Sequence, residues 1–294
     1  AVAPLAPEAV AVTCGVSADD IRRAARLFSG GRASALVSGR GIDQIGAAVA
    51  PTHRALCCLR AITGNVDKPG ACVLAEAPDF VSELAMEMSD AMPASCRAAA
   101  LSSYRTPLQS YAGYDALRAL TERLGRTPPM RYLTSAHPDL VLRAMEEGRP
   151  YPIRALVVQA TNPLLTYGDT ARVQRALAAL DLLVVLEYRL TPTAQLADYV
   201  LPIAGALERP VLQVHGGIAN AAYGGPAAVA PYYERRCDYD VFRELGRRLG
   251  QAEFWPEETL EDAFASQLLP AGLSWEEFCI EGTYWPRPAY AKHE

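Results

Sequence analysis

RALVVQATNPLLTYGDTARVQRALAALDLLVVLEYRLTPTAQLADYVLP, residues 154–202, decides the class of this fold. Within it Ala155-Leu156-Val157-Val158 is a continuous apolar run of strand length. Residues 169–180 place Val173, Leu177 and Leu180 on one helical face, and Leu182-Leu183-Val184-Val185-Leu186 follows at once as a second apolar run. A strand with no alternating polar residues is one buried on both faces. Two such strands joined by a helix predict a parallel sheet with a right-handed crossover. Tyr199-Val200-Leu201 supplies a third strand. The expected class is α/β, with open, mostly parallel Rossmann-like sheets, helices on both faces, and two incomplete subdomains.

The same signals run outward from this stretch. Upstream, Ser17-Ala18-Asp19-Asp20 has the form that satisfies free amides at a helix start. Ile21, Ala24, Ala25 and Phe28 then share one face, and Gly30-Gly31 ends the helix. Ala35-Leu36-Val37 predicts a short strand entering the turn Ser38-Gly39-Arg40-Gly41. Residues 47–62 predict a helix with Val49, Leu56 and Leu59 on one side, stopped by Gly64-Asn65. From about residue 74 to 150, prolines break the pattern into short helical pieces. Downstream, residues 239–249 predict a helix with Phe242, Leu245 and Leu249 inward, with more helix around Leu260 and Trp275. At roughly 100 to 200 residues per domain, 294 residues make one large domain or two ordinary ones. The opening on Ala1, in what reads as the approach to a helix, leads us to expect a piece of a longer chain.

Composition removes several function classes. Half the residues are hydrophobic, as a globular core requires. With 28 basic and 33 acidic residues the formal charge is −5, and no basic stripe is present, so no nucleic-acid partner is expected. Seven cysteines with no CxxC argue against a disulfide framework and against a zinc or iron–sulfur site in this stretch. No apolar run approaches the roughly 18–20 residues of a membrane span, so a soluble chain without direct membrane insertion is expected, its compartment unreadable. The histidines His53, His137, His215 and His293 stand apart from one another and from any HExxH or nucleophile elbow. No residue is therefore assigned to catalysis or to a metal.

In open parallel sheets ligands bind beyond the carboxyl ends of the strands, so the residues just after each strand are the candidates. After the first comes Gly39-Arg40-Gly41-Ile42-Asp43-Gln44. It reads either as a turn that lets the backbone and Arg40 approach a phosphate or as a plain structural turn. After the second comes Thr161-Asn162-Pro163, in which the proline holds Asn162 out of helix. Asn162 either reads a base or ribose or closes an Asx-Pro turn. After residues 182–186 comes Glu187-Tyr188-Arg189. Its carboxylate either accepts from a ribose hydroxyl or a guanine edge, or pairs with Arg189 on the surface.

Three strings tie these turns together: Thr161-Asn162-Pro163-Leu164, TPTAQLADYVLP at residues 191–202, and Thr63-Gly64-Asn65 leading to Pro69-Gly70. They resemble strings of the molybdopterin oxidoreductase superfamily, the dimethyl sulfoxide reductase family. Arg149-Pro150-Tyr151-Pro152-Ile153 and residues 231–238 resemble its polysulfide- or thiosulfate-reductase-like and acetylene-hydratase-like branch. The resemblance covers about residues 16–275. It implies a molybdenum or tungsten ion held by two pterin guanine dinucleotides, that is, a Mo- or W-bis(molybdopterin guanine dinucleotide). It implies two-electron redox chemistry on a small-molecule substrate, and an iron–sulfur electron-transfer subunit as a partner.

Carried over by position, Gly39, Arg40, Gly41 and Gln44 would contact one dinucleotide. Thr161, Asn162 and Thr166 would line the nucleotide end of the other, with Glu187 at guanine or ribose and Thr191 beside it. Asp198 would be a structural cap at the start of the third strand. Residues 1–75 would end one pterin-binding domain. Residues 76–294 would form the second, with an irregular helical connection at 76–150, a nucleotide-binding core at 151–250 and a helical tail at 251–294. The family's [4Fe–4S] cysteines and its metal-ligating residue have no counterpart here, so this stretch alone would be inactive. Two other readings stay open. One is a non-catalytic scaffold of the NADH dehydrogenase large-subunit type, and the other is an unrelated nucleotide-binding module.

Overall fold

The structure, a computed structural model, describes residues 5–31, 33–39, 41–42, 48–73, 92–101, 110–126, 136–215, 221–284 and 290. The chain divides into two compact units. One comprises Ala1–Pro78 with His215–Ala221 and Trp285–Glu294, and the other comprises Asp79–Val214 with Ala222–Tyr284.

The first unit contains helices α1 (Pro7–Cys14), α2 (Ala18–Gly30) and α3 (Val49–Ile62). The Ser17 hydroxyl accepts from the amide of Asp20 at 3.1 Å, so α2 starts where its capping residues place it. No residue of these three helices is fully buried. The segment expected to form a strand at 35–37 does not do so. Residues 33–39 carry no regular structure, and Val37 is 91% exposed. A strand exists only as one side of a ladder, and among the described residues no neighbour pairs with this one. Side chains from the end of α3 and just beyond it hold the segment instead. Arg60 Nη2 donates to the Leu36 carbonyl at 2.7 Å, and Asn65 Oδ1 accepts from the Ser34 amide at 3.0 Å. Asn65 is 1% exposed, and its Nδ2 donates to Phe28 O (3.1 Å) and Thr63 Oγ1 (3.0 Å).

The second unit contains α4 (Ala94–Ala98), α5 (Tyr111–Arg123) and α6 (Pro138–Glu147), then β1 (Ala155–Gln159), α7 (Pro163–Thr166), α8 (Thr170–Ala178), β2 (Leu182–Glu187) and β3 (Tyr199–Pro202). The sheet is parallel throughout, in the order β1-β2-β3, with Ala155 beside Leu182 and Val184 beside Tyr199. The α/β class and the parallel crossover are as the sequence predicts. The apolar character of β2 has its expected cause. Leu183 and Val185 join Leu142, Met145, Val158, Val173 and Leu177 in one core, while Leu186, which points to the opposite face, is also buried. His137 caps α6 through Nδ1, which accepts from the Asp139 amide at 3.3 Å. Asp198 fastens the start of β3 to β2, exchanging bonds with both the amide (2.7 Å) and the carbonyl (2.9 Å) of Leu183.

A second sheet, β4 (Val211–His215), β5 (Ala221–Gly225) and β6 (Thr283–Tyr284), lies in the order β4-β5-β6 with β5 and β6 antiparallel. Its core joins Leu212 and Ala222 to Phe264, Leu268, Trp275 and Phe278, which come from α10 (Leu260–Leu268) and α11 (Trp275–Glu281). The helix at the 239–249 prediction, α9 (Asp238–Arg248), faces inward differently from expectation. Leu245 and Leu249 are exposed, and the buried residue is Gly246. A Cβ at Gly246 would strike the Trp255 indole, so the missing side chain lets the helix close on that ring.

Candidate functional site

The carboxyl ends of β1 and β2 are neighbours because Gln159 pairs with Leu186, so the turns that follow them share one rim of the sheet. Beyond β1, Ala160 turns the chain with φ +53°, Thr161 is exposed, and Asn162 is half-buried ahead of the buried Pro163. The proline blocks helix at Asn162 and opens α7. Thr166 donates its hydroxyl back to Asn162 O at 3.0 Å, closing the turn.

Beyond β2, Glu187 is half-buried, and its Oε1 accepts from the Tyr188 amide at 2.8 Å. Arg189 does not pair with it. The guanidinium lies 5.5 Å from the centre of the Tyr188 ring, and no ion pair among the described residues joins Glu187 to Arg189. Thr191 Oγ1 accepts from the Ala194 amide at 3.2 Å, starting the 3-10 turn Ala194–Leu196.

Thr193 joins the two turns. Its amide and hydroxyl both donate to Asn162 Oδ1, at 3.3 and 2.6 Å, and its Oγ1 accepts from the Leu164 amide at 3.2 Å. The structure therefore brings Thr161, Asn162, Thr166, Glu187 and Thr191 to adjoining turns at one end of the sheet. Thr193 lay inside the TPTA string but had no role assigned from sequence. Asp238 was also missed. It receives a hydrogen bond from Gln159 Nε2 at the end of β1, and nothing in a sequence pairs residues so far apart. Both residues line a cavity of about 410 Å³ whose walls include Arg209, Gln213, Tyr239 and Trp255.

The third carboxyl end, after β3, is closed by its own contacts. Glu208 accepts from the amides of Gly205 (2.7 Å) and Tyr232 (3.1 Å) and from Arg235 Nη1 (2.9 Å). The Gly205 amide above all, with Tyr232 and Arg235, holds its carboxyl below the usual range against the opposing effect of burial. That acceptor is spent within the fold. Burial likewise pushes the Cys237 thiol up to about 11, far from a reactive thiolate.

In the first unit, Gly39 and Gly41 are exposed, and the Ile42 amide reaches back to Gly39 O at 2.9 Å. A Cβ on either glycine would meet nothing within 4 Å, so no neighbour among the described residues demands glycine there. Arg40 and Gln44 lie outside the described residues.

The polar groups at the β1 and β2 ends form a set of a carboxylate acceptor, an amide, a hydroxyl and a guanidinium. It does not fit a metal. Among the described residues, no group of three His, Cys, Asp or Glu is placed to hold an ion. Nor is any helix among them long and apolar enough to cross a membrane.

Comparison with known proteins adds the following. The family model described as molybdopterin oxidoreductase matches residues 30–248. Acetylene hydratase of Syntrophotalea acetylenica is 30% identical over 277 residues, covering 94% of this chain and 38% of its own. Formate dehydrogenase H of Escherichia coli is 27% identical over 250 residues, covering 83% of this chain and 32% of its own. The solved structure of acetylene hydratase from Pelobacter acetylenicus superposes with a TM-score of 0.76 at 31% identity, over 93% of this chain and 38% of that one. The chain thus spans well under half the length of these relatives.

Proposed function

Since the chain belongs to the molybdopterin oxidoreductase family, of the dimethyl sulfoxide reductase type, we propose that it supplies the dinucleotide-binding cradle of an enzyme working at molybdenum or tungsten. The carrying observation is the pairing of two turns at one end of a parallel sheet, which presents the Glu187 carboxylate beside the Asn162 turn. A ligand with both donors and acceptors on a planar edge, such as guanine, matches that polarity.

In this reading residues 1–75 end one pterin-binding domain and residues 76–294 form the second. Thr161, Asn162, Thr166, Glu187 and Thr191 hold the nucleotide end of one pterin guanine dinucleotide, while Gly39, Arg40, Gly41 and Gln44 meet the other. When bound, the bis-pterin metal centre supplies the two-electron chemistry, and the protein supplies binding, orientation and electrostatics. Glu187 accepts from ring or ribose donors, Thr161 offers its exposed hydroxyl, and Arg189 places positive charge at the same rim. A [4Fe–4S] cluster and an iron–sulfur partner subunit belong to the proposal for the whole enzyme, as does a small-molecule substrate.

One observation favours the scaffold reading. Thr191 Oγ1, Thr166 Oγ1 and Asn162 Oδ1 are all engaged inside the fold. The two readings separate in one measurement on the product of the gene that encodes this chain, purified from cells that make pterin cofactors. Molybdenum or tungsten with about two acid-released guanine nucleotides per chain is expected for a bis-pterin enzyme. A folded protein carrying neither would leave the scaffold.

A further inference from the structure

We infer that Thr193 is a positioning residue that fixes the Asn162 amide as a donor, so that Asn162 meets the nucleotide only at an acceptor atom. The inference rests on the nucleotide-cradle reading. Its starting point is that hydrogen-bond chemistry orients this side chain without ambiguity. The Thr193 amide can only donate, so the Asn162 atom facing it is Oδ1 and not Nδ2. The Leu164 amide can also only donate, so Thr193 Oγ1 accepts there, and the hydroxyl's own proton goes to Asn162 Oδ1 at 2.6 Å. Every proton in the cluster is thereby assigned, and a flipped amide would set two donors against each other.

Burial makes this orientation costly to lose. Thr193 is 0% exposed, so no water replaces a broken partner. Pro163 and Pro192, each beside one of the paired residues, restrict the backbones that carry them. The consequence is directional. Oδ1 is spent on Thr193, while Nδ2 has no partner among the described residues and belongs to a half-buried side chain next to exposed Thr161. On the neighbouring turn the Glu187 carboxylate is an acceptor, so the rim sets an acceptor at Glu187 against a donor at Asn162 Nδ2. That pattern selects a nucleotide presenting a donor to Glu187 and a carbonyl, ribose or phosphate oxygen to Asn162.

The test uses the purified gene product and follows the loss of guanine nucleotide on dilution, alongside thermal unfolding. Asn162→Asp keeps both bonds from Thr193 but replaces the outward donor with an acceptor. Nucleotide loss is expected to quicken about tenfold or more while the protein stays folded. Thr193→Val is expected to quicken loss similarly, Thr193→Ser to restore it, and Thr193→Val to add little in an Asn162→Ala background. A general packing defect would instead add to the Asn162→Ala effect. Should Thr193→Val not fold, Asn162→Asp alone decides. Wild-type protein that carries guanine nucleotide, with Asn162→Asp losing it no faster, overturns this inference and leaves the cradle standing. Wild-type protein without guanine nucleotide overturns both.

Discussion

The two turns at the ends of β1 and β2 and the glycine turn at residues 39–41 are candidates for the same kind of ligand, yet they are built in opposite ways. The former sit on a parallel ladder whose middle strand is buried on both faces, and Thr193 bonds one turn to the other. Among the described residues the approach to the glycine turn has no ladder. It is held by Asn65 and Arg60, and the helices around it bury none of their residues completely. A binding turn, then, can be positioned either by apolar burial or by a few well-satisfied polar side chains. The first method spreads the cost of failure over many residues, and the second concentrates it in one or two.

Deleting side chains on either side tests that contrast, and the largest effect is expected in the sheet. Leu186→Ala removes a fully buried side chain from β2 and should cost about 2–5 kcal/mol in urea unfolding, whereas exposed Leu27→Ala in α2 should stay within about 0.5 kcal/mol. Equal costs would show that α2 carries a core of its own. Next comes Asn65→Ala, which strips partners from Ser34, Phe28 and Thr63. It should cost about 1–3 kcal/mol and speed hydrogen exchange at the Ser34 amide. An unchanged exchange rate would mean that something other than Asn65 holds the segment.

The smallest effect concerns Glu208, whose carboxyl sits below its ordinary 4.5 in the folded chain. A lowered pKa stabilises the fold above the ordinary value, and the contribution drains away as pH falls through the folded value. Glu208→Gln should therefore lower the melting temperature at pH 7 and flatten its decline below about pH 4.5. A variant whose acid limb parallels the wild type would show that Gly205, Tyr232 and Arg235 do not stabilise the charged form.

Periodicity and apolar runs were enough to read the parallel sheet, because the middle strand, buried on both faces, writes that fact into residues 182–186; residues 155–158 read the same way, yet β1 lies at the sheet's edge with Val157 41% exposed. The antiparallel sheet was not legible. Ala221, Ala222, Gly224 and Gly225 of β5 carry little apolar signal, and Gly224 is there because a Cβ would strike the Val211 backbone. At 35–37 the run was read correctly as apolar and wrongly as paired, since pairing depends on a neighbour that the run itself does not encode. The turns at Asn162 and Glu187 were found by position after a strand. The Asn162–Thr193 bond was not, because two short polar residues 31 positions apart leave no periodic trace.

Gly246 carries a lesson for anyone varying this chain. On an isolated helix, alanine would be favoured over glycine by about 1 kcal/mol. At this position the indole of Trp255 occupies the space an alanine methyl would need, so the preference is reversed. The helix is fastened by a vacancy. Consensus design that rewards helix formers would fill it and thereby loosen Trp255, the ring on which Tyr239 also rests edge-on.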